Sequence, residues 1–154
     1  MRILIAAVGR AGKDPAQALF DHYRWRSRWP IEIREVAERK PLPPADLKVR
    51  EAELLLATLP RSGGLRVVAL DEAGESLGSR RFAERLARWR DQGVDTVAFL
   101  IGGAWGHGPA IAGRADLVLS LGPMTWPHLL ARAMLAEQLY RAQQILAGHP
   151  YHHE

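Results

Sequence analysis

The residues with the most chemical content lie at two chain breaks, in a histidine-rich tail and in one arginine–aromatic run. Gly102, Gly103, Gly106 and Gly108 interrupt the end of one apolar run, in LIGGAWGHGP at residues 100–109. Leu121, Gly122, Pro123, Met124, Thr125 and Trp126 follow the next apolar run, in LGPMTWPH at residues 121–128. Each break leads into a helical pattern. Glycine lets main-chain amides approach a ligand closely. Neither stretch contains Lys, Arg, Asp or Glu. No GxxxxGK[ST] is present, and Gly9-Arg-Ala-Gly12 after the first apolar run is only a fragment of GxGxxG. A triphosphate or dinucleotide draws cationic side chains or a free helix N-terminus. An uncharged pair of loops suits a flat heterocycle with a sugar and an amino-acid tail, its edge paired to backbone and its faces covered by Leu, Met and Trp. The first loop alone reads more readily as a tight strand-to-helix turn; the occurrence of two such loops shifts the reading to one pocket.

The tail, HPYHHE, contains His149, His152 and His153. Imidazole is a common zinc ligand, but no carboxylate pair or second histidine cluster completes a site, so no metal is expected. Chain ends ordinarily fray, yet Pro150 and Tyr151 are rigid and aromatic. In HYRWRSRW, Arg24, Arg26 and Arg28 alternate with Tyr23, Trp25 and Trp29. Arginine with aromatics suits RNA through phosphate contacts and base stacking; the alternative is a solvated helix end with a tryptophan in the core. The net charge of +4 arises entirely in residues 1–64, which hold 12 Lys/Arg against 8 Asp/Glu. The absence of cysteine excludes disulfides, thiolate catalysis and cysteine-bound zinc, and fits a cytoplasmic setting. No apolar stretch reaches membrane-spanning length, and MRILIAAVGR is too brief for a signal-peptide core.

The elements that position these residues follow from periodicity. RILIAAV, TVAFLI and ADLVLSL are short continuous apolar runs and predict buried strands; residues 65–70, LRVVAL, predict another, and IEIREV alternates as a half-exposed strand does. Asp14-Pro15 opens a helix to about Arg28. Residues 46–59 have helical spacing. Ser79 is expected to cap a helix carrying Phe82, Leu86 and Trp89 on one face and ending at Gly93. The longest helix starts at Pro127, with Thr125 as its expected cap, and stops before Gly148. Its wide apolar arc, including Leu129, Leu130, Met134, Leu135, Leu139, Ile145 and Leu146, predicts contact with both its own sheet and a partner subunit. Alternation of strands and helices over 154 residues predicts one α/β domain, a mostly parallel sheet with helices on both faces. Ligands then collect at the carboxyl ends of the strands, where both loops lie.

LIGGAWG, LSLGPMTWPH and LAEQLYRAQQILAGHPYHHE, in this order, resemble the ribosomal RNA large subunit methyltransferase H family, a SPOUT-class group. RVVALDEAGESLGSRRFAERLARW and the chain length agree, and the N-terminal third is looser. The resemblance implies a SPOUT-type trefoil knot at the C-terminus and a homodimer. It implies S-adenosylmethionine as cofactor and methylation of N3 of a pseudouridine in helix 69 of 23S rRNA on the assembled ribosome. By position, the cofactor would meet Leu70, Gly102, Gly103, Leu121, Gly122, Pro123, Met124, Thr125 and Trp126. Tyr151, His152 and His153 would complete the partner's active site, with His152 first and His153 second as candidate proton acceptors. Arg24, Arg26 and Arg28 would grip RNA. Two positions depart from the family pattern: His153 stands where Arg or Lys is usual, and Trp126 where Phe is common. The rival readings are a non-catalytic RNA-binding module of the same fold and a metal-dependent hydrolase built on the tail.

Overall fold

A computed structural model describes residues 1–153. Five strands, β1 (Arg2–Val8), β2 (Ile31–Val36), β3 (Leu65–Ser76), β4 (Thr96–Ile101) and β5 (Leu117–Ser120), form one sheet in the order β2-β1-β4-β3-β5, and every pairing is parallel. The helices are α1 (Pro15–Arg26), α2 (Pro44–Ala57), α3 (Ser79–Asp91), α4 (Pro109–Arg114) and α5 (His128–Leu146), followed by a 3-10 turn at Pro150–His152.

The continuous apolar strands are buried on both faces, as parallel sheets require. Along β1, Ile3, Ile5 and Ala7 join Phe20, Phe82, Leu86, Leu135 and Leu139 in one core, under α1, α3 and α5. Leu4, Ala6 and Val8 point the other way and join Ala52, Leu55 and Ile111, under α2 and α4. β4 divides in the same manner, Val97, Phe99 and Ile101 facing the first core and Ala98 and Leu100 the second.

Several local expectations change in three dimensions. Asp14 does cap α1, its carboxylate accepting the Ala16 N–H at 2.8 Å, but that helix ends at Arg26. Ser79 is the first residue of α3 rather than its cap; its hydroxyl donates instead to Gln138 of α5 at 2.7 Å. Thr125 does not cap α5, whose cap position is Pro127, with no side-chain hydrogen bond. α4 is the helical pattern that follows the first loop, opened by Gly108-Pro109. β3 runs beyond Leu70 to Ser76 and meets β5 twice, Leu70 and then Glu75 both opposite Leu119, with a bulge between. Gly74 permits this: a Cβ there would lie 2.7 Å from the Val118 carbonyl oxygen.

α5 is fastened to the sheet by Arg132. Its side chain is 1% exposed. Nη1 donates to Glu35 Oε2 at 2.6 Å, and Nη2 donates to the carbonyls of Val8 and Gly9 at 3.3 and 2.9 Å. Glu35, at the end of β2, also accepts the Ala11 N–H at 2.7 Å. Burial works against its ionisation, but the Arg132 hydrogen bond, the Ala11 amide and nearby guanidinium charge outweigh burial and hold its carboxyl below the usual range.

A depressed carboxylate stabilises the fold above its unfolded pKa, and that contribution disappears as pH falls through the folded value. Unfolding free energy should therefore be flat near neutrality and drop below about pH 4.5. Glu35→Gln should flatten part of that acid slope. At pH 7 it should cost about 3 kcal/mol, the low end for a broken buried pair, because Glu35 is 33% exposed and Arg132 keeps two carbonyls. Chemical denaturation across pH measures both; an unchanged acid slope in the variant would contradict this assignment.

Candidate cofactor cleft and C-terminal tail

The carboxyl ends of β4 and β5 flank the middle of β3, where Leu70 pairs with Ile101 on one side and Leu119 on the other. Above them opens a cleft of about 860 Å³. The first loop supplies Gly102, Gly103, Ala104, Trp105, Gly106 and His107, and the second supplies Leu121, Gly122, Met124, Thr125 and Trp126. Leu70 forms part of the floor. Of the nine residues expected around a cofactor, eight line this one cleft; Pro123 is exposed at the turn and does not.

Local hydrogen bonds shape the second loop. The Ser120 hydroxyl accepts the Gly122 N–H at 3.0 Å and lies 2.9 Å from the Gly122 carbonyl and 3.1 Å from that of Glu72. Trp126 folds back so that its indole N–H reaches the Leu121 carbonyl at 3.3 Å. Met124 and Trp105 remain 67% and 56% exposed at the cleft. The first loop closes through Gly106 N–H to the Gly103 carbonyl at 3.0 Å. Beneath it, His107 Nε2 lies 3.2 Å from the Leu100 carbonyl, so that nitrogen bears the proton. Burial pushes the His107 pKa down, which keeps the ring neutral.

The charge in the cleft comes from outside the two loops. Asp71 and Glu72 enter from the β3 bulge and Lys48 from α2. Thr125 donates to Glu72 Oε2 at 2.8 Å, tying the second loop to that bulge. Sequence reasoning missed these three residues. A carboxylate pair immediately after LRVVAL, at a predicted strand exit, was the available signal.

The tail lies elsewhere. Tyr151 packs edge-to-face on Tyr140, with ring centroids 4.8 Å apart, and its hydroxyl donates to Glu137 Oε1 at 3.1 Å. The Arg141 guanidinium sits 4.9 Å from its ring centre. Burial first, then the neighbouring Tyr23 and Glu137, push the Tyr151 phenol well above its ordinary pKa. His153 is exposed. The His152 side chain lies outside the described residues. None of the described tail residues lines the cleft of its own chain. Among the described residues, no group of three or more His, Asp or Glu is arranged to hold a metal ion.

The arginine run is only partly free. Arg24 donates to the Ile31 carbonyl at 2.9 Å, and Arg26 donates to the Tyr140 hydroxyl at 3.0 Å. Arg28 and Trp25 are exposed, whereas Trp29 packs against the core.

Comparison with known proteins places this geometry. Residues 1–152 match the family described as "Predicted SPOUT methyltransferase". The ribosomal RNA large subunit methyltransferase H of Paramagnetospirillum magneticum is 61% identical over 152 residues, covering 99% of both chains. The protein of the same name from Rhodospirillum centenum is 57% identical, again over 99% of both. Among solved structures, the SpoU methyltransferase AviRb of Streptomyces viridochromogenes, in complex with AdoMet, aligns at a TM-score of 0.49 and 11% identity. That alignment covers 94% of this chain and 58% of AviRb. With its two strand-exit loops meeting in one cleft and near-complete alignment to these relatives, the chain belongs to the ribosomal RNA large subunit methyltransferase H family of SPOUT methyltransferases.

Proposed function

We propose that this chain transfers a methyl group from S-adenosylmethionine to N3 of a pseudouridine in helix 69 of 23S rRNA, acting in the cytoplasm as a homodimer on the assembled ribosome. The observation that carries the reading is the single cleft shared by Gly103 and Met124. Its volume lies in the range of small-molecule sites. Gly103 is close-packed there: a Cβ would lie 2.9 Å from Glu51 Oε2 and 3.1 Å from Val8 Cγ1, so both side chains would have to give. Main-chain groups of both loops can pair with the adenine edge, and Met124, Trp126 and Trp105 can cover its faces. Asp71 and Glu72 supply negative charge suited to a sulfonium and an ammonium.

When bound, the cofactor supplies an activated methyl on sulfur, which leaves in an in-line displacement. The protein's work is to orient the acceptor nitrogen and take its proton. N3–H of pseudouridine is a weakly acidic imide, protonated at neutral pH. An imidazole titrates in the right range, and His152, with His153 second, is assigned that task. Tyr151 docks against α5 and away from its own cleft, which supports delivery of the tail to a partner's cleft. An apolar groove of about 530 Å³ supports the dimer; Leu19, Leu77, Phe82 and Met134 line it, and it also touches Leu121 and Gly122. The same reading takes the C-terminal segment through a trefoil knot; the double meeting of β3 with β5 is consistent with that path.

Calorimetry should show S-adenosylmethionine binding to the wild-type chain, with Gly103→Val weakening it at least about tenfold (about 1.4 kcal/mol). No heat of binding to the wild type would favour a non-catalytic RNA-binding module. Single-turnover methylation of ribosomes should slow by about 10²-fold or more when His152 and His153 are both replaced by Ala. An unchanged rate would remove the base from the tail.

A further inference from the structure

The first loop has a polar backing that the methyl-transfer reading leaves unused. Glu51 stands in the middle of α2, in the same buried stretch as Ala52 and Leu55, and is 7% exposed. Carboxylates this deep are normally paired. Glu51 is not: its Oε1 is buried without a hydrogen-bond partner, and no ion pair involves it among the described residues. Lys48, one turn earlier, faces the cleft instead.

What the Glu51 carboxyl touches is Gly103. A Cβ built there would lie 2.9 Å from Oε2 and 3.0 Å from Oε1. The carboxyl is therefore pressed against the back of the cleft wall while remaining outside the cleft lining. Burial alone pushes its pKa up, toward the neutral acid, which can donate one hydrogen bond and accept others. If the position only needed filling, Leu or Met would fill it without the cost of burying an unpaired polar group. An unpaired acid pressed against a glycine-rich turn stands beside the main chain of that turn.

We propose that Glu51 is a positioning residue for the cofactor wall: it hydrogen-bonds the peptide groups of the Gly102-Gly103-Ala104 turn from behind and sets that turn against the ligand when the cleft is filled. This inference rests on the cofactor reading above. Glu51 acts through Gly103 and touches neither cofactor nor acceptor.

The test uses the full chain, with S-adenosylhomocysteine as the calorimetric probe and thermal unfolding in parallel. Glu51→Gln keeps the size and the hydrogen-bonding capacity and should bind within about threefold of wild type. Glu51→Met fills the space without polar atoms. It should keep or raise Tm, lose at least about tenfold in affinity, and raise KM for S-adenosylmethionine more than it lowers kcat. A Met variant that binds within threefold of wild type would overturn the inference and leave the cofactor reading intact. A wild-type chain that does not bind S-adenosylhomocysteine would overturn both. If the Met variant does not fold, a cycle of Gly103→Ala and Glu51→Ala decides. The two sites are in contact, so the double variant should bind no more weakly than the weaker single one. Losses that simply add would overturn the proposal.

Discussion

The buried guanidinium of Arg132 fixes where everything at the carboxyl end of the sheet must lie. One side chain from the second turn of α5 reaches Glu35 at the end of β2 and the carbonyls of Val8 and Gly9 at the end of β1. Such a charge is costly to bury without partners, so the helix has one acceptable position. The start of α5 is thereby held over the sheet's carboxyl edge, with His128 close enough that a Cβ on Gly9 would sit 3.3 Å from its ring. β5 ends at Ser120 and α5 begins at His128. The short second loop must cross between them, over the β3 bulge and the exit of β4. The cleft is the space this crossing encloses.

The chemistry of that space divides by source. The loops contribute main chain, glycine and exposed apolar side chains; the strand and helix behind them contribute Asp71, Glu72 and Lys48. Thr125 joins the two sets through Glu72. A neutral, close-fitting wall beside a localised acidic patch suits a ligand that is flat and uncharged at one end and cationic at the other. The tail is built on a different principle. Tyr151 is fixed by ring packing, a guanidinium and a carboxylate, all on α1 and α5. It is held outside the cleft that its own chain forms.

Much of this was legible in the sequence because it depends on local rules. Runs such as RILIAAV and TVAFLI specify strands buried on both faces, and Asp14-Pro15 and Gly93 punctuate helices whatever surrounds them. The shared pocket was legible because two uncharged breaks at strand exits of one parallel sheet have few other places to go. What escaped depends on contacts distant in the chain. Ser79 and Thr125 have the composition of caps, yet each hydroxyl finds a better acceptor from another element, Gln138 and Glu72. β3 reads as ending at Leu70 because Asp71 and Glu72 break the apolar run; its continuation depends on Gly74 fitting against β5. Nothing in the local sequence pattern singles out Arg132 or Glu51, and only the packing of α5 and α2 reveals them as buried. Arg24 and Arg26 looked like a free basic strip, and their guanidinium groups have intramolecular partners.

The proposed activity is methyl transfer from this cleft to one pseudouridine of the large-subunit RNA. The decisive measurement is mass analysis of 23S rRNA from cells lacking this protein, compared with cells in which it is restored. A single helix 69 pseudouridine should lose the mass of one methyl group in its absence and regain it on restoration. Identical helix 69 masses in both strains would contradict it.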